Sequence, residues 1–378
     1  MPNALPAPPS LARLRAELDA ADDELLRVLA RRAEVVSRIA EAKALAGLPV
    51  LDRAREEAHL AARCARGAEL GLDAGLVRDV VSRVVRASRE AQRVARAEVP
   101  KGFSVGIVGG TSGMGAFLAR ELRAAGLEVE VTGLDAGAPS AEVASRHDLV
   151  VLAVPIEVTA DVARSVGPHV RAGGCLADVT SVKRAPLEAM LAATPASVEV
   201  VGTHPLFGPS VSCMDRLTVA VCEGRGSVWM RRLTSLFESL GAEVVQVDAE
   251  DHDARMALSQ AAIHAKSLAL GHVLAAYPGG APALCTTATP QLRAEVALVA
   301  RLAAAPPALL VGLLFENPHA RSAVARLVEE LARLSDALAS GDRAFVASRV
   351  EALAVALGPT LEGARASSEV LLEAAARS

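Results

Sequence analysis

Apolar residues recur at helical spacing through the first part of the chain. From residue 10 they follow this spacing until Gly47 and Pro49, which predicts one helix of about 35 residues. At 1.5 Å per residue this helix is about 50 Å long, and it cannot bury its apolar stripe on itself. Shorter helical patterns follow over 53–67 and 73–93. We therefore predict an all-helical bundle over residues 11–96 that is completed by dimerisation.

The periodicity changes after a polar stretch near residues 96–102, which we interpret as a linker. Short β runs then alternate with helical patterns, which is typical of a doubly wound sheet of parallel strands. The predicted strands are 103–108, 127–131, 148–154, 175–179, 198–202, 218–222 and 243–247. Ala- and Leu-rich helical patterns follow. The predicted fold class is multidomain: an all-α bundle, a doubly wound α/β domain over 103–249 and an all-α domain over 250–378.

Composition excludes several classes of partner. A formal net charge of −4 and 2% aromatic residues argue against a nucleic-acid-binding protein, which needs a basic surface and stacking side chains. The most apolar stretch, 302–315, is broken by Pro306 and Pro307 and is too short to span a bilayer. Residues 1–10 are Pro-rich and lack the features of a signal peptide, so we expect a disordered tail and a cytoplasmic protein. The 5 cysteines are scattered and predict no disulfide framework or zinc site.

The predicted bundle contains cationic side chains without a structural need for them. Arg32 and Lys43 lie about 20° apart on a helical projection, whereas Arg15 lies about 100° away. Two cations therefore face one place, and the third faces another. Further candidates are Asp52, Arg55, Glu56, Ser88 and Gln92. We see no His, Cys or activated Ser with them, so the set predicts positioning and electrostatic stabilisation of a dianion. The alternative is a solvated face with i,i+4 ion pairs.

All eight positions resemble the active site of the all-helical chorismate mutases, which form intertwined dimers. The resemblance implies that Arg15 comes from the opposite subunit and binds one carboxylate of chorismate, while Arg32 binds the other. Arg55 and Ser88 would support the carboxylates. The implied substrate is thus a dianion held between two chains.

The same resemblance assigns the remaining four positions to the rearrangement of chorismate to prephenate. Lys43 and Gln92 would donate hydrogen bonds to the ether oxygen, where negative charge develops as the C–O bond breaks. Glu56 and the region of Asp52 would bind the substrate hydroxyl. No nucleophile is required for this reaction.

A glycine-rich turn follows the first predicted strand and opens a helix, where backbone N–H groups bind phosphates. If Gly110 and Gly115 are the first and third glycines of a G-x-G-x-x-G motif, Ser112 takes the middle place, where its side chain could crowd the phosphates. Gly133 stands where an acidic ribose ligand is expected, and no basic cluster is near, so we predict NAD. The candidate cofactor-binding residues are Gly109, Gly110, Thr111, Ser112, Gly113, Met114, Gly115 and Asp135. A short-chain dehydrogenase is excluded. Its catalytic Tyr-x-x-x-Lys motif would have to use Tyr277, but Ala281 stands where the lysine is required.

Four segments downstream carry candidate chemistry: Thr180-Ser181-Val182-Lys183, the GTHPLFGP segment with His204, His252-Asp253 with His264 twelve residues on, and TPQLRAEVALVARL with Arg293 and Arg301. The histidines lack the close spacing of a metal site, so we predict no metal. From residue 103 onward the chain resembles prephenate dehydrogenase. The order of the two units matches the bifunctional fusion of mutase and dehydrogenase.

This second resemblance implies roles at a dehydrogenase site. His204 would accept a hydrogen bond from the ring hydroxyl of prephenate. It would take the hydroxyl proton as a hydride leaves the carbon that bears this hydroxyl for NAD. Ser181 would orient His204, and Arg301 with Arg293 would bind a carboxylate. Lys183, Gln260 and His264 would line the pocket, with His252 a weaker candidate. The C-terminal domain would supply the arginines and a homodimer contact.

Two alternatives stay open at this point. In one, the helical bundle serves only dimerisation or regulation, and the dehydrogenase alone is active, on prephenate or arogenate. In the other, motivated by Ser112 and Gly133, the dehydrogenase-like domain binds its cofactor poorly. Tyrosine is a further expected partner, as a feedback inhibitor.

Overall fold

The N-terminal part of the chain is a three-helix unit with little internal core. The structure, a computed structural model, describes residues 10–45, 53–94, 102–134 and 136–376. The helices are α1 (Leu11–Leu45), α2 (Arg53–Glu69) and α3 (Ala74–Val94). Helix α3 packs against both α1 and α2. Along the first half of α1, apolar side chains such as Leu14, Leu18 and Leu25 stay exposed.

A seven-stranded sheet follows and confirms the predicted α/β domain. Its strands are β1 (Val105–Val108), β2 (Val129–Thr132), β3 (Leu149–Leu152), β4 (Cys175–Asp178), β5 (Glu199–Pro205), β6 (Thr218–Arg225) and β7 (Glu243–Gln246). The strand order is β2-β1-β3-β4-β5-β6-β7. Residues of β1 are fully buried, as expected for a central strand.

One pair of strands departs from the predicted parallel arrangement. Strands β5 and β6 are antiparallel, whereas the other neighbouring pairs are parallel. The segment that joins β5 to β6, residues 206–217, contains no helix. A parallel pair needs a long crossover connection, usually a helix, so this short segment returns the chain in the opposite direction.

Helices cover both faces of the sheet. They are α4 (Gly113–Ala124), α5 (Ser140–Arg146), α6 (Ile156–Val166), α7 (Arg184–Ala193) and α8 (Val228–Ser239). One core contains Phe117 and Trp229, and the other contains Leu152 and Met190. The chain places β2 and β3 on opposite sides of β1, so a crevice opens at the carboxyl ends of β1 and β3, where doubly wound proteins bind ligands.

The remainder of the described chain is helical, as predicted. It begins with α9 (Ala249–Met256), passes through a π-helical turn (Ala257–Ala262), and continues in α10 (Ile263–Ala275), α11 (Gly280–Cys285), α12 (Pro290–Ala303), α13 (Pro307–Phe315), α14 (Ala320–Ser340), α15 (Arg343–Leu357) and α16 (Thr360–Ala376). Within the described ranges, no single helix has the length and apolar character to cross a membrane. Only two bent helix pairs, α12 with α13 and α15 with α16, meet those criteria together.

Candidate active sites

The three N-terminal helices bring predicted mutase residues together. A guanidinium N–H of Arg32, on α1, donates to the hydroxyl of Ser88, on α3. The Ser88 hydroxyl donates in turn to the carbonyl oxygen of Val84, at 2.7 Å. Both Arg32 and Ser88 are half-buried. The structure thus brings two of the predicted anion-binding residues into direct contact.

Helix α2 adds a histidine that the sequence analysis missed. Partial burial lowers the pKa of His59, and the positive charges of Arg63, Arg32 and Arg55 lower it further, while Glu56 opposes them. His59 therefore lies within the cationic cluster, contrary to the expectation that no histidine accompanies these residues. The signal was present in the sequence, because residues 55, 59 and 63 recur every four positions and share one face of α2.

The structure of one chain does not bring all of the other predicted mutase residues close to Arg32. Arg15 is exposed on α1 and lies about 25 Å along that helix from Arg32, at 1.5 Å per residue. Lys43 is half-buried in the last turn of α1. Asp52 and the side chain of Gln92 lie outside the described residues. A single chain therefore cannot place Arg15 beside Arg32.

The turn after β1 has the close backbone packing of a phosphate-binding loop. Gly109 has φ +85°, and a Cβ there would lie 2.3 Å from the carbonyl oxygen of Ala153. A Cβ at Gly115 would lie 2.3 Å from the carbonyl oxygen of Gly109. Ser112 is the exposed N-cap of α4, and its side chain makes no capping hydrogen bond. Its hydroxyl and the first N–H groups of α4 are thus open to a phosphate, so Ser112 fits the site.

Side-chain packing explains why Gly133 replaces the expected acidic residue. A Cβ at Gly133 would lie 2.7 Å from the hydroxyl oxygen of Thr111, so any larger residue would displace Thr111. Asp135, the nearest carboxylate, lies outside the described residues. Residues 133–139 contain no Lys or Arg to bind a 2′-phosphate, which favours NAD over NADP.

The carboxyl end of β5 carries His204 into a buried cluster. Its Nδ1 lies 2.9 Å from Nε2 of His252, and Nδ1 of His252 lies 2.8 Å from Oδ1 of Asp253. All three side chains are buried. Burial lowers the pKa of His204 well below its ordinary value, and the charge of Lys183 lowers it further. The imidazole is therefore neutral near pH 7 and can accept a proton.

Asp253 is anchored as an ionised carboxylate. The backbone N–H groups of Lys183 and Arg184 donate to its two oxygens at 2.7 and 3.0 Å. Burial on its own would raise the pKa of Asp253, but the hydrogen bonds from His252 and from these N–H groups lower it. Asn317, which was not predicted, donates to the backbone carbonyl of Asp253 at 2.8 Å and ties α9 to the segment before α14.

Lys183 has a different role from the predicted one. Its side chain is fully buried, and its ammonium group donates to Asp178 and to the carbonyl oxygen of Thr203. The backbone N–H and the hydroxyl of Thr180 also donate to Asp178. An ammonium group enclosed in this way does not line a substrate pocket. Lys183 instead fixes the loop after β4 and places a positive charge near His204.

Arg301 reaches the loop that follows His204. Although it belongs to α12, one of its terminal nitrogens lies 3.2 Å from where a Cβ of Gly208 would stand. Burial lowers the pKa of His264, and the charge of Arg301 lowers it further, so these two side chains are neighbours. The structure thus brings His264 and Arg301 together and places Arg301 against the loop that follows His204.

Three further predicted residues of the dehydrogenase site have no hydrogen bond to His204 in the described structure. The side-chain oxygen of Gln260, in the π-helical turn, is buried and has no hydrogen-bond partner among the described residues. Arg293 donates to the carbonyl oxygen of Cys285 at 3.3 Å, which fixes it within the C-terminal domain. Ser181 is half-buried and makes no hydrogen bond to His204 in the described structure, where Nδ1 of His204 pairs with His252 instead.

Known proteins match both halves of the chain. Residues 14–93 match the family described as chorismate mutase type II, and residues 118–246 match the nucleotide-binding domain of prephenate dehydrogenase. The T-protein of Haemophilus influenzae is 32% identical over 313 residues, which cover 82% of this chain and 82% of that protein. The T-protein of Enterobacter agglomerans is 32% identical over 346 residues, which cover 90% of this chain and 92% of that protein.

Solved structures share the fold of the α/β and C-terminal parts. Prephenate dehydrogenase from A. aeolicus, in complex with hydroxyphenyl propionate and NAD⁺, has a TM-score of 0.54 at 17% identity and covers 68% of this chain and 97% of its own. Arogenate dehydrogenase from Synechocystis has a TM-score of 0.54 at 18% identity and covers 70% of this chain and 99% of its own.

The fold and the two family matches define an enzyme in which a helical mutase precedes a dehydrogenase with a nucleotide-binding domain. The chain belongs to the T-protein family, the bifunctional chorismate mutases and prephenate dehydrogenases of tyrosine biosynthesis. Its dehydrogenase unit carries the nucleotide-binding domain of prephenate dehydrogenase. The prediction of two activities is confirmed over the alternative of a bundle that serves only dimerisation or regulation.

Proposed function

We propose that the mutase site lies among α1, α2 and α3 and is completed by Arg15 of a second copy. Arg32, held by Ser88, binds one carboxylate of chorismate, with Arg55 beside it. Arg15 is too far along α1 to reach the same substrate from its own chain. A second copy can place its own Arg15 beside this substrate. Packing of that copy along α1 also covers the exposed apolar stripe of the helix.

The rearrangement in this site requires stabilisation of the negative charge that develops on the ether oxygen. Lys43 and Gln92 donate hydrogen bonds to that oxygen as the C–O bond breaks, while Glu56 and Asp52 hold the substrate hydroxyl. Such preorganised donors stabilise the charge that develops in the transition state. Among the described residues, the contact between Arg32 and Ser88 is the observation that supports this assignment most directly.

In the dehydrogenase unit, the turn Gly109–Gly115 and the start of α4 hold the pyrophosphate of NAD. Bound NAD accepts the hydride. The residues Thr111, Ser112, Gly113 and Met114 present N–H groups or a hydroxyl to the phosphates, and Asp135 is the candidate for the ribose. The glycine contacts described above allow this close backbone approach.

His204 accepts the hydrogen bond of the prephenate ring hydroxyl and takes its proton. The hydride leaves the same carbon, the ring carboxylate departs as carbon dioxide, and its electron pair makes the ring aromatic. The proton then returns to the phenolate oxygen of 4-hydroxyphenylpyruvate. The buried, neutral state of His204 is the single observation that supports this role.

Arg301 binds a carboxylate of prephenate through its guanidinium group. His264, which neighbours Arg301, and the buried oxygen of Gln260, which has no hydrogen-bond partner among the described residues, bind polar groups of the substrate. Arg293 supports the site through its hydrogen bond to Cys285. Ser181 follows Thr180 in the loop after β4 and binds the ring hydroxyl together with His204.

The working molecule in this proposal is a cytoplasmic homodimer, with α1 and the C-terminal helices as its contact regions. Tyrosine is proposed as a feedback inhibitor, because it carries the hydroxyphenyl group and the carboxylate of the dehydrogenase product. Inhibition that is competitive with prephenate would support binding of tyrosine at the Arg301 site.

Two variants test the separation of the sites. Lys43→Ala removes the donor to the ether oxygen and is expected to abolish prephenate formation while NAD reduction with added prephenate is retained. His204→Asn removes the proton acceptor and is expected to have the opposite effect. Both activities are measured on each purified variant. Loss of both activities in a folded single variant would contradict separate sites.

A further inference from the structure

A buried line of three side chains extends from the proposed base into the protein. Nδ1 of His204 meets Nε2 of His252 at 2.9 Å, and Nδ1 of His252 meets Oδ1 of Asp253 at 2.8 Å. The exposed fractions are 3%, 1% and 0%. The line joins β5 to α9, so these contacts arise only in the folded chain.

The far end of the line determines where the protons lie. Asp253 is ionised and receives hydrogen bonds from the N–H groups of Lys183 and Arg184 at the start of α7. A carboxylate only accepts, so Nδ1 of His252 carries a proton. In neutral His252, Nε2 is then an acceptor, and Nδ1 of His204 must donate to it. The lone pair of neutral His204 is consequently on Nε2.

We propose that Asp253 and His252 are positioning residues that fix the tautomer of His204, so that its Nε2 is free to accept the proton of the substrate hydroxyl. This inference rests on the proposed role of His204 as the base. In the other tautomer, Nε2 of His204 would carry a proton and could not accept one.

Other groups near His204 do not supply this function. Lys183 is occupied by Asp178 and the carbonyl oxygen of Thr203, and it acts on His204 only through its charge. Ser181 makes no hydrogen bond to His204 in the described structure. The arrangement resembles the logic of catalytic triads, in which a carboxylate that holds the imidazole tautomer contributes about 10⁴-fold to kcat.

The test compares His252→Gln with His252→Leu. The oxygen and nitrogen of a glutamine amide are spaced like the two ring nitrogens, so Gln can accept from His204 and donate to Asp253, whereas Leu fills similar volume and does neither. We expect kcat for NAD reduction to fall about 10²-fold in the Leu variant, with KM for prephenate nearly unchanged, because only proton transfer is impaired. The Gln variant should restore most of kcat.

Two controls make the outcome decisive. Mutase activity of each variant reports an intact N-terminal helical unit, and its circular dichroism spectrum and thermal unfolding report intact folding of the remainder. His147→Gln replaces a buried histidine of the same domain that pairs with Glu130, away from the cluster, and should leave dehydrogenase activity near the wild-type level.

The possible failures are distinguishable. Equal kcat values for the Leu and Gln variants, or a loss expressed in KM alone, would overturn the positioning role while His204 remains the base. Full dehydrogenase activity in His204→Asn would instead overturn the proposed function on which the inference rests.

Discussion

The protonation of His204 depends on its immediate surroundings more than on its intrinsic chemistry. Burial favours the neutral imidazole, and the positive charge of the buried Lys183 ammonium acts in the same direction. Asp178 and the carbonyl oxygen of Thr203 both accept hydrogen bonds from the Lys183 ammonium group. A single buried cation thus helps to keep the proposed base unprotonated.

The pH dependence of the dehydrogenase follows from this environment. Because the pKa of His204 is lowered, its neutral form persists to lower pH than a free imidazole, whose pKa is about 6.5. We expect kcat/KM for prephenate to decline only below pH of about 6.5, as the pH falls through the lowered pKa. A pH profile at saturating NAD measures this limit.

His264 also has a lowered pKa and could contribute to the same limb. The profile of His264→Gln separates the two histidines, since a limb set by His204 keeps its position in that variant. An acid limb near or above 6.5 in the wild-type enzyme would contradict the assignment.

At the scale of elements, helix ends and irregular turns position the functional groups. The start of α7 supplies the two N–H groups that hold Asp253, where the helix dipole also favours a negative charge. The π-helical turn Ala257–Ala262 interrupts the helical repeat between Asp253 and His264 and directs the Gln260 oxygen inward. Such turns are frequent at functional sites.

Helix α1 carries an exposed apolar stripe that a second copy is proposed to cover. Leu14, Leu18 and Leu25 are 46%, 61% and 52% exposed. Leu18→Glu would place a charge in that interface and remove burial worth about 2 kcal/mol per subunit. We expect the dimer to weaken by at least tenfold and mutase activity to fall at low protein concentration.

Analytical ultracentrifugation and mutase assays over a dilution series measure both effects. Val228→Glu, at a half-exposed position at the start of α8, is the matched control. The dimer of this variant should dissociate at the same concentration as the wild-type dimer. A Leu18→Glu protein with unchanged concentration dependence would contradict a shared interface on α1.

At the scale of the whole molecule, each mutase site is proposed to draw on two chains. Co-expressed Arg15→Ala and Lys43→Ala chains should therefore regain activity that neither has alone. In a mixed dimer one site has both residues and the other has neither, so random pairing restores about a quarter of the wild-type activity. Mutase assays of the co-purified mixture, with two different affinity tags to select mixed dimers, measure the recovery.

Selected mixed dimers should reach about half of the wild-type mutase activity, since one site in two is intact. Dehydrogenase activity of the same sample is the internal control and should stay at the wild-type level. A mixture as inactive as its parents would show that Arg15 acts within its own chain.

Local patterns were sufficient to predict the fold class, in which a helical N-terminal part, an α/β domain and a helical C-terminal part follow one another. Periods of 3.6 and 2 residues mark helices and strands because they determine which side chains face a core. The glycines of the turn after β1 could be identified because close backbone approach excludes a side chain. Arg32 and Ser88 were placed in one site by resemblance, and the structure brings them together.

Other features could not be read from the sequence, because they depend on contacts between distant segments. Lys183 was expected in a pocket, but Asp178 and Thr203 enclose it. The antiparallel direction of β6 depends on the path of the helix-free connection between β5 and β6. The alternation of residues along a strand does not determine that path.

The sequence by itself determined the two chemistries, since the ionisable and glycine residues that each needs are local choices at fixed spacing. Only the tertiary structure decided the partners of those residues. It joined His204 to His252 and Asp253 across 48 positions or more, and it brought Arg301 to the loop at Gly208. Hydrogen bonds and charges act over a few ångströms of space, so packing, and not order along the chain, sets the state of each group.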